Sequence, residues 1–185
     1  MATKSSREVF LNNLRGKWFT LVEPDIKFND NGVYGVGAIL DDAAAQALNA
    51  AVAAVAQESG EAGKTFASGE VVKANMKAGG VSKFGPKKGQ RWTATPLIYN
   101  PDLTPADAET IAELGRKSKF TLKVRVYSYP AVGKQQEDGS WPAGCRAGGI
   151  SVGFQALQIL NVDAGEPSPE EQGFSPAVST EGEDF

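Results

Sequence analysis

The stretch KFTLKVRVYSY, residues 119–129, alternates without a break. Phe120, Leu122, Val124 and Val126 share one face, and Thr121, Lys123, Arg125, Tyr127 and Tyr129 share the other. A period of two suits only a strand with one buried face, because successive side chains of a strand point to opposite sides. The polar face sets cations beside tyrosines, which is what a stacking platform for single-stranded nucleic acid needs. Ordinary exposed strands also carry Lys, Arg and Tyr through β-propensity, so this face does not decide the function alone.

Four more stretches read as strands by residue type and alternation: 17–23, 33–40, 91–99 and 149–160. The turn signal Asn29-Asp30-Asn31-Gly32 separates the first two. Gly35 and Gly37 share a face of the second, where they permit another backbone to come close or the strand to bend. In the last, Ile150, Val152 and Phe154 point one way, whereas Leu157 and Ile159 have the opposite parity. That switch predicts a bulge or a barrel corner.

One helix follows the capping pair Asp41-Asp42 and runs to Gly60, with Leu48, Val52 and Val55 as its apolar stripe. A second is predicted from Thr104-Pro105, cap then first-turn proline, to a stop at Gly115. Residues 60–90 read mostly as loop, with a short helix around 70–77. Five strands with a helix between the third and fourth give the count of an OB-type barrel. The expectation is a mainly β domain over residues 1–160, a five-stranded OB-type barrel with one or two peripheral helices. Residues 161–185, rich in Pro, Gly, Ser and acids, are expected to form a disordered acidic tail.

Charge follows the same division. Residues 161–185 hold seven acids and no Lys or Arg, which leaves 19 basic against 15 acidic residues in the body. A basic body with an acidic tail is the asymmetry of a nucleic-acid binder that regulates itself, and equally of a body with a solubilising tail. The basic residues concentrate further: Lys64, Lys73, Lys77, Lys83, Lys87, Lys88 and Arg91 face a single acid, Glu70, over residues 64–91. Lysines on a Gly-rich segment can follow an irregular phosphate backbone, and Phe84 and Trp92 can stack bases. The candidate DNA-binding set is therefore Lys77, Lys83, Phe84, Lys87, Lys88, Arg91, Trp92, Lys123, Arg125, Tyr127 and Tyr129.

Most catalytic classes lack their residues here. With no histidine and one cysteine, Ser-His and Cys-His nucleophile pairs are gone and a zinc site is close to excluded. Cys145 has only Arg146 beside it and is expected to be inert, and one cysteine fits a reducing compartment. SGEAGKT, residues 59–65, imitates a phosphate-binding loop, but Glu58 stands where the first glycine is required and a helix precedes it. Glu23, Asp25 and Asp30 have no paired-ligand spacing, and solvation is their expected role. A magnesium-dependent nuclease survives this screen as a third reading. The N-terminus has no apolar h-region, so no signal peptide is expected, and no apolar run approaches the ~20 residues of a membrane span.

Three segments carry a resemblance: VFLNNLRGKWFTLVEPD near the start, GGISVGFQALQIL in the last strand, and GEDF after a Pro/Ser/Glu-containing tail. Together they are similar to the small single-stranded-DNA-binding proteins of tailed bacteriophages. The resemblance implies an OB-fold, no enzymatic activity, no cofactor, and roles in phage DNA replication, recombination and repair in the bacterial host cytoplasm. It also implies that Glu181, Glu183, Asp184 and Phe185 dock onto replication or recombination proteins, the carboxylates in a basic pocket and the ring in an apolar slot. The same tail would compete with DNA for the basic groove. A homo-oligomer stays open. The alternative from another class is a protein–protein adaptor or structural phage component whose basic loop binds an acidic partner.

Overall fold

The structure is a computed structural model, and it describes residues 4–163. Five strands close into a ring. β1 (Ser6–Asp25), β2 (Val33–Ile39), β3 (Val71–Lys77), β7 (Lys119–Tyr129) and β8 (Gly149–Asn161) pair in the order β3-β2-β1-β7-β8, and β3 meets β8 in parallel to complete the circuit. This is the strand order and the mainly β character of the OB type. The ring has no free edge between its members, which removes the template for unwanted strand addition.

β1 makes closure possible. Its first half pairs antiparallel with β7 from Ser6↔Tyr127 to Arg15↔Lys119, and its second half with β2 from Arg15↔Ile39 to Asp25↔Val33. Between Leu11 and Leu14 the register with β7 shifts, and Asn13 there has φ 55°. Asparagine tolerates this left-handed conformation better than other residues with a Cβ, so the strand can bend at that point. The expectation of a strand over 17–23 found the second half alone.

The alternation read in β7 holds: Phe120, Leu122, Val124 and Val126 are fully buried. The parity switch in β8 is a bulge, because Lys123 pairs with Ala156 and the next residue, Val124, pairs with Phe154. Gln155 is the extra residue. Phe154, Leu157 and Ile159 all reach the core as a result.

α1 (Asp42–Ser59) forms as expected. The Asp41 carboxylate accepts a hydrogen bond from the Ala44 amide at 2.7 Å, and Gly60 closes the helix at φ 74°. Leu48, Val52 and Val55 lie in the core, and the helix packs against β1, β7 and β8. Glu58 at its end binds Arg7 and Ser5, tying the start of β1 to the helix.

Two expectations are corrected. Residues 70–77 are not a short helix in a loop; Val71–Lys77 is β3, paired with β2 from Val33↔Lys77 to Ile39↔Val71. Val72, Ala74 and Met76 turn inward and Lys73, Asn75 and Lys77 outward, a period of two masked by residues of low β-propensity and enforced by the neighbouring strand. Residues 91–99 are not one strand. Pro96 removes a ladder donor, and the stretch divides into β5 (Arg91–Thr93) and β6 (Leu97–Tyr99) in different sheets. β5 forms a hairpin with β4 (Gly79–Val81), whereas β6 adds to β8 beside the ring.

The second helix is shorter than predicted. α2 (Ala108–Ala112) is capped by Asp107, whose carboxylate accepts from the Thr110 amide at 2.8 Å. Thr104 instead closes a turn on Asp102, and Pro105 bridges to Tyr99. α1 therefore lies between the second and third ring strands and α2 between the third and fourth. At the other end, β8 runs to Asn161, one residue past the boundary expected from composition, and the Ser118 hydroxyl donates to the Asp163 carbonyl while accepting its amide, both at 2.9 Å. The tail from residue 164 onward, with Glu181, Glu183, Asp184 and Phe185, lies outside the described residues. Among the described residues no helix is long and apolar enough to cross a membrane.

Candidate nucleic-acid interface

Across the outer face of the ring, strand pairing places Arg125, Gly153, Asn75, Gly35 and Thr20 side by side, one from each of β7, β8, β3, β2 and β1. At the usual 4.7–4.9 Å between strands this row spans an arc of about 19 Å. Its centre is floored by two glycines with Asn75 between them. Larger side chains rise at both ends, and two open grooves result that share Asn75.

The first groove encloses about 660 Å³ and includes Lys4, Arg125, Tyr127, Tyr129, Arg146 and Gln155 in its lining. Arg146 stacks over the Tyr129 ring, 4.9 Å from its centroid, and the Arg125 guanidinium donates to the Ser6 hydroxyl at 3.0 Å. Both arginines are exposed, so each keeps donors for an anion. The second groove encloses about 390 Å³ and is lined by Trp18, Phe28, Lys73 and Asn75 among others.

A common device shapes both. Four aromatics, Trp18, Tyr127, Tyr129 and Trp92, each lie across a glycine on the neighbouring strand. A Cβ added at Gly37 or at Gly35 would overlap the Trp18 indole or crowd its six-membered edge, so the ring runs along β2 over both positions. Tyr129 covers Gly149 and Tyr127 sits by Gly153 in the same way, and Trp92 covers Gly80 in the β4–β5 hairpin. Gly35 and Gly37 therefore make room for an indole, where the sequence suggested another backbone or a bend. A ring laid along a strand rests on the protein and leaves its outer face for a stacking base, except at Tyr129, where Arg146 already stands over the ring.

The candidate residues divide into three groups. Arg125, Tyr127 and Tyr129 come together in the first groove. Lys77, Lys83, Phe84, Lys87, Lys88, Arg91 and Trp92 lie at the end of β3 or in the hairpin that follows, and none of them lines either groove. That hairpin is ordered by pairs such as Gly80↔Trp92 and is rooted beside the β1–β2 loop, where the Ala78 amide donates to the Gly32 carbonyl at 2.9 Å. Phe84 at its tip is 87% exposed.

Lys123 forms the third group by itself. It pairs with Glu8 at 2.9 Å and stands 5.6 Å from the Phe10 ring centroid. Around it is an apolar trough with Phe10, Leu97, Tyr99 and Leu103. Glu8 also accepts from Gln155 at 3.0 Å, and it marks the limit between this trough and the first groove. The Lys123 hydrogen bond, then that of Gln155, holds the Glu8 carboxyl below the usual carboxylate range. A second deviation in the trough is Leu103, exposed and at φ 67°.

Sequence reasoning missed Trp18, Phe28, Asn75 and Arg146, and it counted Lys73 in the basic run without placing it in the candidate set. The one available signal was Gly-x-Gly on a strand next to another strand that carries a tryptophan. Asn75 went unseen, and Lys73 was not placed on a strand face, because β3 was not recognised.

Comparison with family models and with curated proteins by sequence finds no match. Comparison of the fold does. The bacteriophage T7 single-stranded-DNA-binding protein gp2.5 superposes with a TM-score of 0.53 at 15% identity, covering 98% of this chain and 100% of that one. The single-stranded-DNA-binding protein of bacteriophage Enc34 superposes at 0.52 in a C-terminally truncated form and at 0.51 in complex with single-stranded DNA. Both Enc34 forms are 10% identical, cover 84% of this chain, and are themselves covered over 86% and 87%. The chain has the fold of phage single-stranded-DNA-binding proteins. Both neighbours are single-stranded-DNA-binding proteins of bacteriophages.

Two tests follow from the geometry. Gly37→Ala should displace the Trp18 indole and cost about 1–3 kcal/mol by overpacking; iodide quenching of tryptophan fluorescence should rise, while a Gly60→Ala control should leave quenching unchanged. Because the Glu8 pKa is depressed, its pairing contributes fully above the ordinary carboxylate range and fades as pH falls through the lowered value. Lys123→Met should bring the Glu8 carboxyl back up toward that range in an NMR titration, and an unmoved titration would show that Lys123 is not the cause.

Proposed function

We propose that this protein binds single-stranded DNA without sequence specificity and serves phage DNA replication, recombination and repair in the bacterial cytoplasm. The observation that carries this reading is the pair of grooves that meet at Asn75, with Tyr127, Tyr129 and Trp18 laid over glycines and Arg125, Arg146 and Lys73 beside them. Stacked rings hold bases regardless of identity, and the cations neutralise phosphates. The Enc34 protein, whose fold this chain shares, was captured with single-stranded DNA, which supports the same ligand here. The basic hairpin, with Lys83, Lys87 and Lys88, extends the cationic surface beyond the grooves.

The acidic residues of 164–185 and Phe185 at the end of the sequence support a second part of the proposal. This segment competes with DNA for the cationic face and recruits replication or recombination proteins when DNA displaces it. The competition is intramolecular, so its effective concentration is of millimolar order. The position of the hairpin off the grooves favours one other reading, an adaptor in which Lys83, Lys87, Lys88 and Arg91 take an acidic protein partner.

Anisotropy titration of labelled oligo(dT) and of a matching duplex separates the two. The full chain should prefer the single strand, with log K falling against log salt at a slope of about −3 to −4 for ~4–6 phosphate contacts. Arg125→Ala should lower that slope by about one, and Tyr127→Ala should cost about 1–3 kcal/mol. Removal of residues 164–185 should tighten binding. Equal or absent binding to both DNAs would transfer the basic surface to the adaptor reading.

A further inference from the structure

Asn75 stands out among the groove residues because its role is neither charge nor stacking. It is exposed at the junction of the two grooves and makes no side-chain hydrogen bond among the described residues. Its Oδ1 lies over Gly35, and so does the Cη2–Cζ3 edge of the Trp18 indole. The amide and the outer edge of the ring are therefore neighbours over one glycine. Lys73, two residues earlier on the same face, is paired with Gly37, under the other end of the indole.

A base stacked on the open face of Trp18 would direct an edge toward this amide. A primary amide offers one donor and one acceptor side by side. The Watson–Crick edge of every base offers the matching pair: N6–H and N1 of adenine, N4–H and N3 of cytosine, N1–H and O6 of guanine, N3–H and O4 of thymine. Rotation of the amide by half a turn serves either order, so all four bases can be accepted. In a duplex those same atoms are already bonded to the opposite strand.

On the footing of the single-strand reading above, we infer that Trp18 and Asn75 form a station for one unpaired base, in which Asn75 tests whether the Watson–Crick edge is free. Trp18 supplies the platform and Lys73 a cation for the adjoining phosphate. Selection for single strands is then built into a hydrogen bond that ignores sequence. Charge cannot provide this, because a duplex carries more phosphate per unit length than a single strand.

The test compares oligo(dT), oligo(dC), an abasic oligomer of the same length and a duplex, all titrated with the full chain. Asn75→Ala and the near-isosteric Asn75→Leu should each weaken oligo(dT) and oligo(dC) by a similar factor, about 5- to 30-fold. Both should leave the abasic oligomer, the duplex and the salt slope unchanged, so the preference for single strands shrinks by that factor. An equal loss on the abasic oligomer would overturn the inference, because the residue would then act through the backbone or the fold. So would unchanged oligo(dT) binding in both variants while the wild type keeps its single-strand preference; that outcome leaves the single-strand reading standing. A wild type without the preference removes both together.

Discussion

Everything on the outer face depends on β1 turning a corner. A straight strand of this length could pair with β7 along one edge and β2 along the other, but the sheet would stay open and end in two free edges. Asn13 takes the left-handed conformation that lets the strand bend, and the sheet curls until β3 meets β8. The bend also sets which side chains face outward on each half: Glu8 and Phe10 opposite β7, Trp18 and Thr20 opposite β2. The grooves lie on the outer face of the circuit this bend closes.

The parts of the fold that were legible in the sequence are those in which one periodic pattern and one cap agreed. The alternation of Lys119–Tyr129 and the Asp41 and Gly60 ends of α1 needed no partner to be recognised. The bulge at Gln155 was legible too, since two apolar parities in one strand cannot both face a core without an extra residue. β3 was not. Lys73, Ala74, Asn75 and Lys77 have poor strand propensity, and only the ladder to β2 makes them extended. The candidate site divides the same way. Residues on the recognisable strand β7 were found, whereas Trp18, Asn75 and Arg146 join them through pairings and loop positions that local pattern does not encode.

Counting positive charge also proved a coarse guide to an anion site. Lys123 and Arg125 are two residues apart on one strand face, yet Glu8 takes the first and leaves the second exposed. The difference comes from the opposing strand, where Phe10 and Glu8 meet Lys123 and Arg125 in register: the lysine reaches diagonally to the Glu8 carboxylate, and the Arg125 guanidinium turns to the Ser6 hydroxyl. The result is one sheet with two chemistries, cationic and aromatic toward Tyr129, apolar around Phe10, Leu97 and Leu103.

The circuit of strands has one thin place. β3 and β8 meet at a single register pair, Asn75 and Gly153, where every other joint of the ring holds several. That pair is also the floor of the grooves. A strand of nucleic acid laid from Tyr127 to Trp18 would cross it like a stitch over a seam, bonded on both sides. Ligand and fold would then be coupled by mass action, each making the other harder to pull apart, and saturation a hundredfold above the dissociation constant is worth about 2.7 kcal/mol. The weakest joint of the protein would be fastened by its cargo.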